Sequence, residues 1–534
     1  MWIIRNCAPG FRKHEVFVTG RILKIRSPCN VKMKIIGPQF QVCVLAILAG
    51  LTGCATNGGH TVKPLQPVRV SGNGHYFVKA DGTPFFWLGD TAWSVFNHPK
   101  PADVDVYLDD RAAKGFTVIQ GVIALWDYTR HTNADGELPF INGDLGRINE
   151  AYYRNVDSIL DKVEAHGMYM AILPYWHKNA GDRLGTGDTP EQMHAYCRFL
   201  AQRYAKRNIF WILGGDSTAE GEAGEKIRHI TDLEAQGLIE GARAAGVSKI
   251  MISYHPTGRQ SSSFWFHDSP WLDFNSIQSG HFIRTTNYRL VAEDFAKIPA
   301  KPTLDMEPGY ENITDGLVRG SANAARITAA DVRRSAYLAV FAGAAGHTYG
   351  CGEVYEFWSP DSRGPLPGWG AGLPWRESLE LPGSSQVQYV RYLIESRPMP
   401  DRIPDQSLIA GEDLPVLDRV EAMRAADGSY AFVYTAAGRP FKLQTGKLSG
   451  RKLVAWWYDP RTGRAKRSGT FAKTDAREFT PPSAGIGNDW VLVLDDAAKK
   501  FPPPGRIATG TARASSPQAK RPGAQRQPDL RSPD

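Results

Sequence analysis

The 534-residue chain has only six cysteines, and four of them (Cys7, Cys29, Cys43 and Cys54) fall in its first 54 residues. No pair stands at CxxC spacing, and no His/Cys cluster at metal-ligand spacing accompanies Cys197 and Cys351. A zinc site and a disulfide framework are thereby excluded. Missing too are a GxSxG elbow, a P-loop, an HExxH helix and the Gly-rich turn of a dinucleotide fold. No metal or cofactor is expected. Charge of one sign is also scarce where it would matter. The net +8 is carried by the ends, +7 on residues 1–53 and +6 on 499–534, which leaves −5 on 54–498. No clustered basic face remains to hold nucleic acid.

The apolar run at 42–51 (VCVLAILAGL) is ten residues long, too short to cross a bilayer as a helix. It follows Lys32 and Lys34 and leads into Leu51-Thr52-Gly53-Cys54, so it reads as a secretory signal. Those last four residues resemble the lipobox of bacterial lipoproteins, which implies lipidation of Cys54 and a membrane contact through that lipid alone. Met33 reads as the true start. Ala55 after the cysteine fits the Gram-negative pattern for the outer membrane, facing the periplasm. Residues 1–54 are thus an address and 55–68 a tether. At the other end, 498–534 is a basic Pro/Ser/Ala-rich tail with little to bury, expected to be disordered.

Between these ends, eight short apolar runs alternate with amphipathic stretches. The runs are FFWLGD (85–90), TVIQGVIAL (117–125), MYMAILPYW (168–176), IFWILGGD (209–216), KIMISYH (249–255), FNSIQSGH (274–281), PTLDMEP (302–308) and AAGHTYG (344–350). Each is continuous rather than alternating, as strands buried on both faces are. The stretch 148–166 places Ile148, Tyr152, Val156, Ile159, Leu160 and Val163 on one helical face, and Gly167 stops it. Eight alternations predict an α/β fold, a (β/α)8 TIM barrel over 69–405. Only the segment 256–271 shows no clear helix. A doubly wound sheet competes but lacks its phosphate turn. Residues 406–497 change character: AFVYTA, LVAWWYDP and WVLVLD between turn signals predict a small antiparallel β-sandwich.

Barrel chemistry sits at the C-terminal strand ends. Here those ends are rich in aromatic, amide and carboxylate groups, the partners of a polyhydroxylated ligand. Candidate substrate contacts are Asp90, Trp93, Trp126, Tyr175, Trp176, His255, Gln278, His281, Tyr310 and Tyr349. Two carboxylates stand apart: Asp216 ends strand four after two glycines, and Glu307 ends strand seven before a proline. Glycosidic hydrolysis needs such a pair, one to protonate the departing oxygen and one to attack the anomeric carbon or activate water. Asp305 alternates to the other side of its strand. A cap for the following helix is the competing role for Asp216, and an ion pair in the barrel mouth that for Glu307.

The set FFWLGDTAW (85–93), GFTVIQ (115–120), WILGGD (211–216) and PTLDMEPGYE (302–311) resembles the apiosidase-like glycoside hydrolases, family 140. The segment LVAWWYDPRTG (453–463) resembles the collagen-binding-type β-domain that accompanies their barrel. The resemblance implies Asp216 as acid/base and Glu307 as nucleophile, in a retaining mechanism without cofactor. Its implied substrate is β-linked apiose on the galacturonic acid of rhamnogalacturonan II, a pectin. A glucanase- or arabinofuranosidase-like activity on another glycan, and a non-catalytic surface glycan-binding lipoprotein, are the alternatives.

Overall fold

The computed structural model describes residues 64–506 except 126–127, 130, 179–187, 320–322, 362–368 and 371, together with two strands near the N-terminus. The signal run, Cys54, Trp126 and the tail beyond 506 lie outside the described residues. The two N-terminal strands, Lys13–Val18 and Arg21–Arg26, form an antiparallel hairpin in a unit of their own.

Eight strands build the barrel wall: β1 (Trp87–Thr91), β2 (Val118–Ala124), β3 (Tyr169–Tyr175), β4 (Ile209–Ser217), β5 (Met251–Pro256), β6 (Asn275–Gln278), β7 (Thr303–Asp305) and β8 (Gly346–Tyr349). They pair in parallel in the order β5-β4-β3-β2-β1-β8-β7-β6. The seam between β5 and β6 is closed by side chains. Ser253 donates to the Phe274 carbonyl at 2.6 Å and meets the Ser276 hydroxyl at 2.6 Å. Beside them, the Asp273 carboxylate accepts from the Ile252 amide at 2.9 Å. The continuous apolar runs follow from this closure, since each strand is covered by the barrel interior on one face and by helices on the other.

The helices are α1 (Pro101–Ala113), α2 (Glu150–Ala165), α3 (Pro190–Tyr204), α4 (Gly221–Ala244), α5 (Asn287–Phe295), α6 (Ala329–Phe341) and, after β8, α7 (Gln388–Glu395). In α2 the apolar stripe of Tyr152, Val156, Ile159, Leu160 and Val163 is buried, and the Asn149 side chain caps the first turn. Between β5 and β6 only a four-residue turn, Ser263–Phe266, stands where a helix would be, as the Ser-rich segment suggests. A three-stranded sheet (Val68–Val70, Phe77–Lys79, Pro84–Phe85) closes the barrel floor, with Phe77 edge-on to Phe210 and Phe274. The far mouth is left for the loops.

The C-terminal strands form a six-stranded and a three-stranded antiparallel sheet, and the six-stranded one begins with Arg402–Pro404. Its central strand, Tyr430–Thr435, is buried on both faces. Ala431 and Val433 enter the core between the two sheets, whereas Phe432 and Tyr434 join the barrel core and Tyr434 stacks on Tyr337 of α6. Two buried ion pairs fix this seam. Arg333 of α6 meets Asp489 through two bonds of 3.1 and 2.6 Å, and Arg397 meets Asp495 through two of 2.8 and 2.7 Å. Removing one member of such a pair strands a charge away from water. Arg333→Ala is therefore expected to lower the unfolding free energy by about 3–5 kcal/mol in urea denaturation; a loss below about 1 kcal/mol would contradict this role for the pair.

Candidate active site

The sequence Gly214-Gly215-Asp216 at the end of β4 is required by packing. Both glycines hold positive φ (84° and 110°). A Cβ at Gly214 would fall 2.6 Å from the Tyr254 ring, and one at Gly215 would fall 2.8 Å from the Trp176 ring. Only glycine suits both demands. The chain then turns again at Asp216, at φ 51°, a conformation costly for a non-glycine residue and concentrated at functional sites. Helix α4 begins five residues further on with Glu220 at its N-cap, so Asp216 is not the cap. Its carboxylate meets the Lys178 ammonium at 3.1 Å.

Glu307 sits two residues past β7. Gln120 of β2 holds the Met306 carbonyl at 2.9 Å and so pins the chain just before it. Glu307 is 5% exposed, yet its carboxylate faces three polar groups. His255 Nε2 lies 2.9 Å from Oε2, His281 Nε2 lies 3.3 Å from Oε1, and the Tyr310 hydroxyl donates to Oε1 at 2.8 Å. Trp93 in turn donates to the Tyr310 oxygen at 3.0 Å. One atom each of Asp216, His255 and Glu307 lies within 4.8 Å of the others. That spacing would admit a cation; between His255 and Glu307 the contact is an ion-pair distance of 2.9 Å. Asp216 and Glu307 both face a cavity of about 660 Å³, walled in part by Trp93, Trp176, Gln278, His281 and Tyr310.

Residues 71–401 match the family described as "Apiosidase-like, catalytic domain", and 403–495 match a collagen-binding-like domain. The chain belongs to the apiosidase-like family. It is similar to a solved structure titled as a glycoside hydrolase family 5 from Bacteroides vulgatus ATCC 8482. The two are 31% identical with a TM-score of 0.74, over 84% of this chain and 97% of that one. A second structure, titled "Glycoside hydrolase", is also 31% identical, with a TM-score of 0.73 over 82% and 98% of the two chains. Comparison with curated proteins gives no match. The protein is a glycoside hydrolase, and its substrate is a carbohydrate.

In this glycosidase not every residue read from the strand ends reaches the cavity. Asp90 is fully buried, held by the Tyr107 hydroxyl at 2.5 Å and Arg111 Nε at 2.7 Å, so it braces α1 against β1 and is closed to substrate. The Tyr175 hydroxyl is bound to Asp188 at 2.7 Å, and that of Tyr349 to Glu311 at 2.7 Å. Both rings are buried and outside the cavity lining. These three expectations are corrected: a strand end has two faces, and these side chains take the one packed against helices and loops. His255 is also fully buried and acts from behind Glu307, its ring edge-on to Trp93. Asp305 faces away from the cavity toward Ser279 and Asn287. Burial pushes its carboxyl up to about 6, against those two hydrogen bonds.

Several lining residues escaped the sequence reading because they lie on loops without periodicity. Lys178 lies three residues past the end of β3. Arg259, itself at φ 65°, lies over the Phe282 ring at 4.1 Å, and Arg319 lies over the Trp369 ring at 4.9 Å. Neither arginine has an aromatic neighbour in sequence, so no local signal marks them.

Burial opposes ionisation of Glu307, but His255 and His281 outweigh it and hold the carboxyl well below the usual range. Burial likewise opposes charge on His255, yet the Glu307 bond and charge, aided by Asp216, raise its pKa above 6.5. The sign follows. The Glu307 contribution to stability is present above its ordinary carboxylate pKa and is lost as pH falls through the folded value. That of His255 is present below 6.5 and is lost as pH rises through its folded value. Removing the carboxylate charge reverses the balance at His255. In Glu307→Gln the imidazole is expected to titrate below 6.5 by NMR, and a value still above 6.5 would contradict this account.

Proposed function

We propose that the enzyme is a family 140 glycosidase that releases apiose β-linked to galacturonic acid in rhamnogalacturonan II. The observation that carries this reading is the charge of the cavity. Lys178, Arg259 and Arg319 line the same space as Asp216 and Glu307. Among the described residues neither arginine has a carboxylate partner; each rests on an aromatic ring. A uronate carboxylate next to the scissile bond would satisfy these guanidinium donors, which suit carboxylates geometrically. A neutral glucan or arabinan would leave them idle.

In the proposed mechanism Glu307, kept ionised by the two histidines, attacks the anomeric carbon as Asp216 protonates the departing galacturonate oxygen. Asp216 then takes a proton from water, which releases the sugar from Glu307. Lys178 stabilises Asp216 once its proton has gone. One oxygen of each carboxylate lies within 4.8 Å of the other, on the side of the retaining geometry, in which the carboxyl groups stand about 5–5.5 Å apart against about 6.5–9.5 Å in inverting pairs. We place the enzyme at the outer membrane, facing the periplasm, on the strength of the lipobox-like Leu51–Cys54.

Incubation with rhamnogalacturonan II, followed by chromatography, is expected to yield apiose from the wild type. Glu307→Gln and Asp216→Asn should each lose about 10²–10⁴-fold or more in kcat. Arg259→Ala and Arg319→Ala are expected to raise KM about tenfold with a smaller change in kcat. Release of a neutral sugar from an uncharged glycan instead would overturn the substrate, and full activity in Glu307→Gln would overturn the mechanism.

A further inference from the structure

Beside the catalytic cavity lies a second one of about 700 Å³, and the two share Glu356. Its walls come from the loops after β1, β2 and β8, at the same mouth of the barrel. The volume lies within the range of about 300–1,000 Å³ usual for small-ligand sites.

Its chemistry differs from that of its neighbour. The Arg376 guanidinium lies over the Trp375 ring at 4.8 Å and is neutralised by Asp103. Trp358 is half-buried in the wall. Two buried amides, Asn97 and Asn133, also line the space. Asn97 spends its Nδ2 on the Tyr152 hydroxyl, and Asn133 spends its Oδ1 on the amides of Asp135 and Glu137. Asn97 Oδ1 and Asn133 Nδ2 are left with no partner among the described residues. Buried amide atoms are rarely left unpaired unless water or a ligand meets them. At the junction His98 Nδ1 lies 2.7 Å from the Glu356 carbonyl oxygen, tying the loops after β1 and β8 together where the two cavities join.

We propose that this second cavity is a carbohydrate subsite, holding uncharged sugar residues of the same glycan whose bond lies between Asp216 and Glu307. An aromatic face beside unpaired amides suits the C–H face and hydroxyls of a neutral sugar. Of the two Lys/Arg side chains in its wall, Arg376 is paired with Asp103 and Lys100 acts on the Asp361 carboxylate, unlike the arginines that line the catalytic cavity. Binding energy gathered there acts on the reaction from a distance, so longer substrates gain in kcat/KM. The proposal rests on the glycosidase activity and not on which sugar is released.

The test compares kcat/KM for rhamnogalacturonan II oligosaccharides with that for the smallest fragment still cleaved. Should the wild type cleave a different glycan, the same pair is taken from that glycan, so the substrate reading can fail while the subsite is still tested. The wild type is expected to favour the longer substrate by about tenfold or more. Trp358→Ala should remove most of that preference, and Trp358→Phe, which keeps a ring, should restore it. Equal kcat/KM for both lengths in the wild type would overturn the proposal. So would an unchanged ratio in a Trp358→Ala protein with wild-type melting temperature. If the alanine variant does not fold, an unaltered ratio in His98→Ala, at the exposed edge of the same cavity, decides against it.

Discussion

A carboxylate buried among aromatic rings is unfavourable unless its charge is answered, and Glu307 is answered three times, by His255, His281 and Tyr310. Each of these comes from a different strand end, so the barrel must be closed and in register before the cluster exists. The dependence also runs the other way. His255 is fully buried and would resist charge, and the same carboxylate raises its pKa. The pair is stable only as a pair, because removing either member leaves a buried group uncompensated. Trp93 supports the cluster from β1 through Tyr310, and Gln120 supports it from β2 through the Met306 carbonyl.

The opposite side of the cavity is built under a different constraint. Asp216 is partly exposed, and its placement is steric. Trp176 and Tyr254 press on the chain so closely that only Gly214 and Gly215 fit, and Asp216 itself is forced to positive φ. Strain tolerated at one residue thus sets a second carboxylate across from Glu307. One carboxylate is buried and held ionised by neighbours, while the other is open and meets a lysine.

Much of this was legible in the amino-acid order. The eight apolar runs are strands because burial on both faces demands unbroken hydrophobicity, and the two carboxylates that face the cavity stand at the end of β4 and just past the end of β7. The sandwich strand AFVYTA was also readable, although its continuity has a further cause in the barrel packed on its second face. What failed was the facing of side chains at strand ends. Asp90, Tyr175 and Tyr349 have the right composition and height, yet each is held by a specific partner, Arg111, Asp188 or Glu311, that no local pattern announces. The cations Lys178, Arg259 and Arg319 were invisible for a related reason: loop residues meet only through the tertiary fold.

The central claim is that Glu307, kept ionised by its histidines, is the group that bonds to the sugar. An activated 2-deoxy-2-fluoro glycoside of the released sugar should react quickly and hydrolyse slowly, leaving a covalent adduct that mass spectrometry of the digested protein can place. The account predicts the label on the peptide bearing Glu307, with none formed in Glu307→Gln. An adduct on Asp216 or another carboxylate, or turnover of such substrates with inversion and no adduct at all, would contradict it.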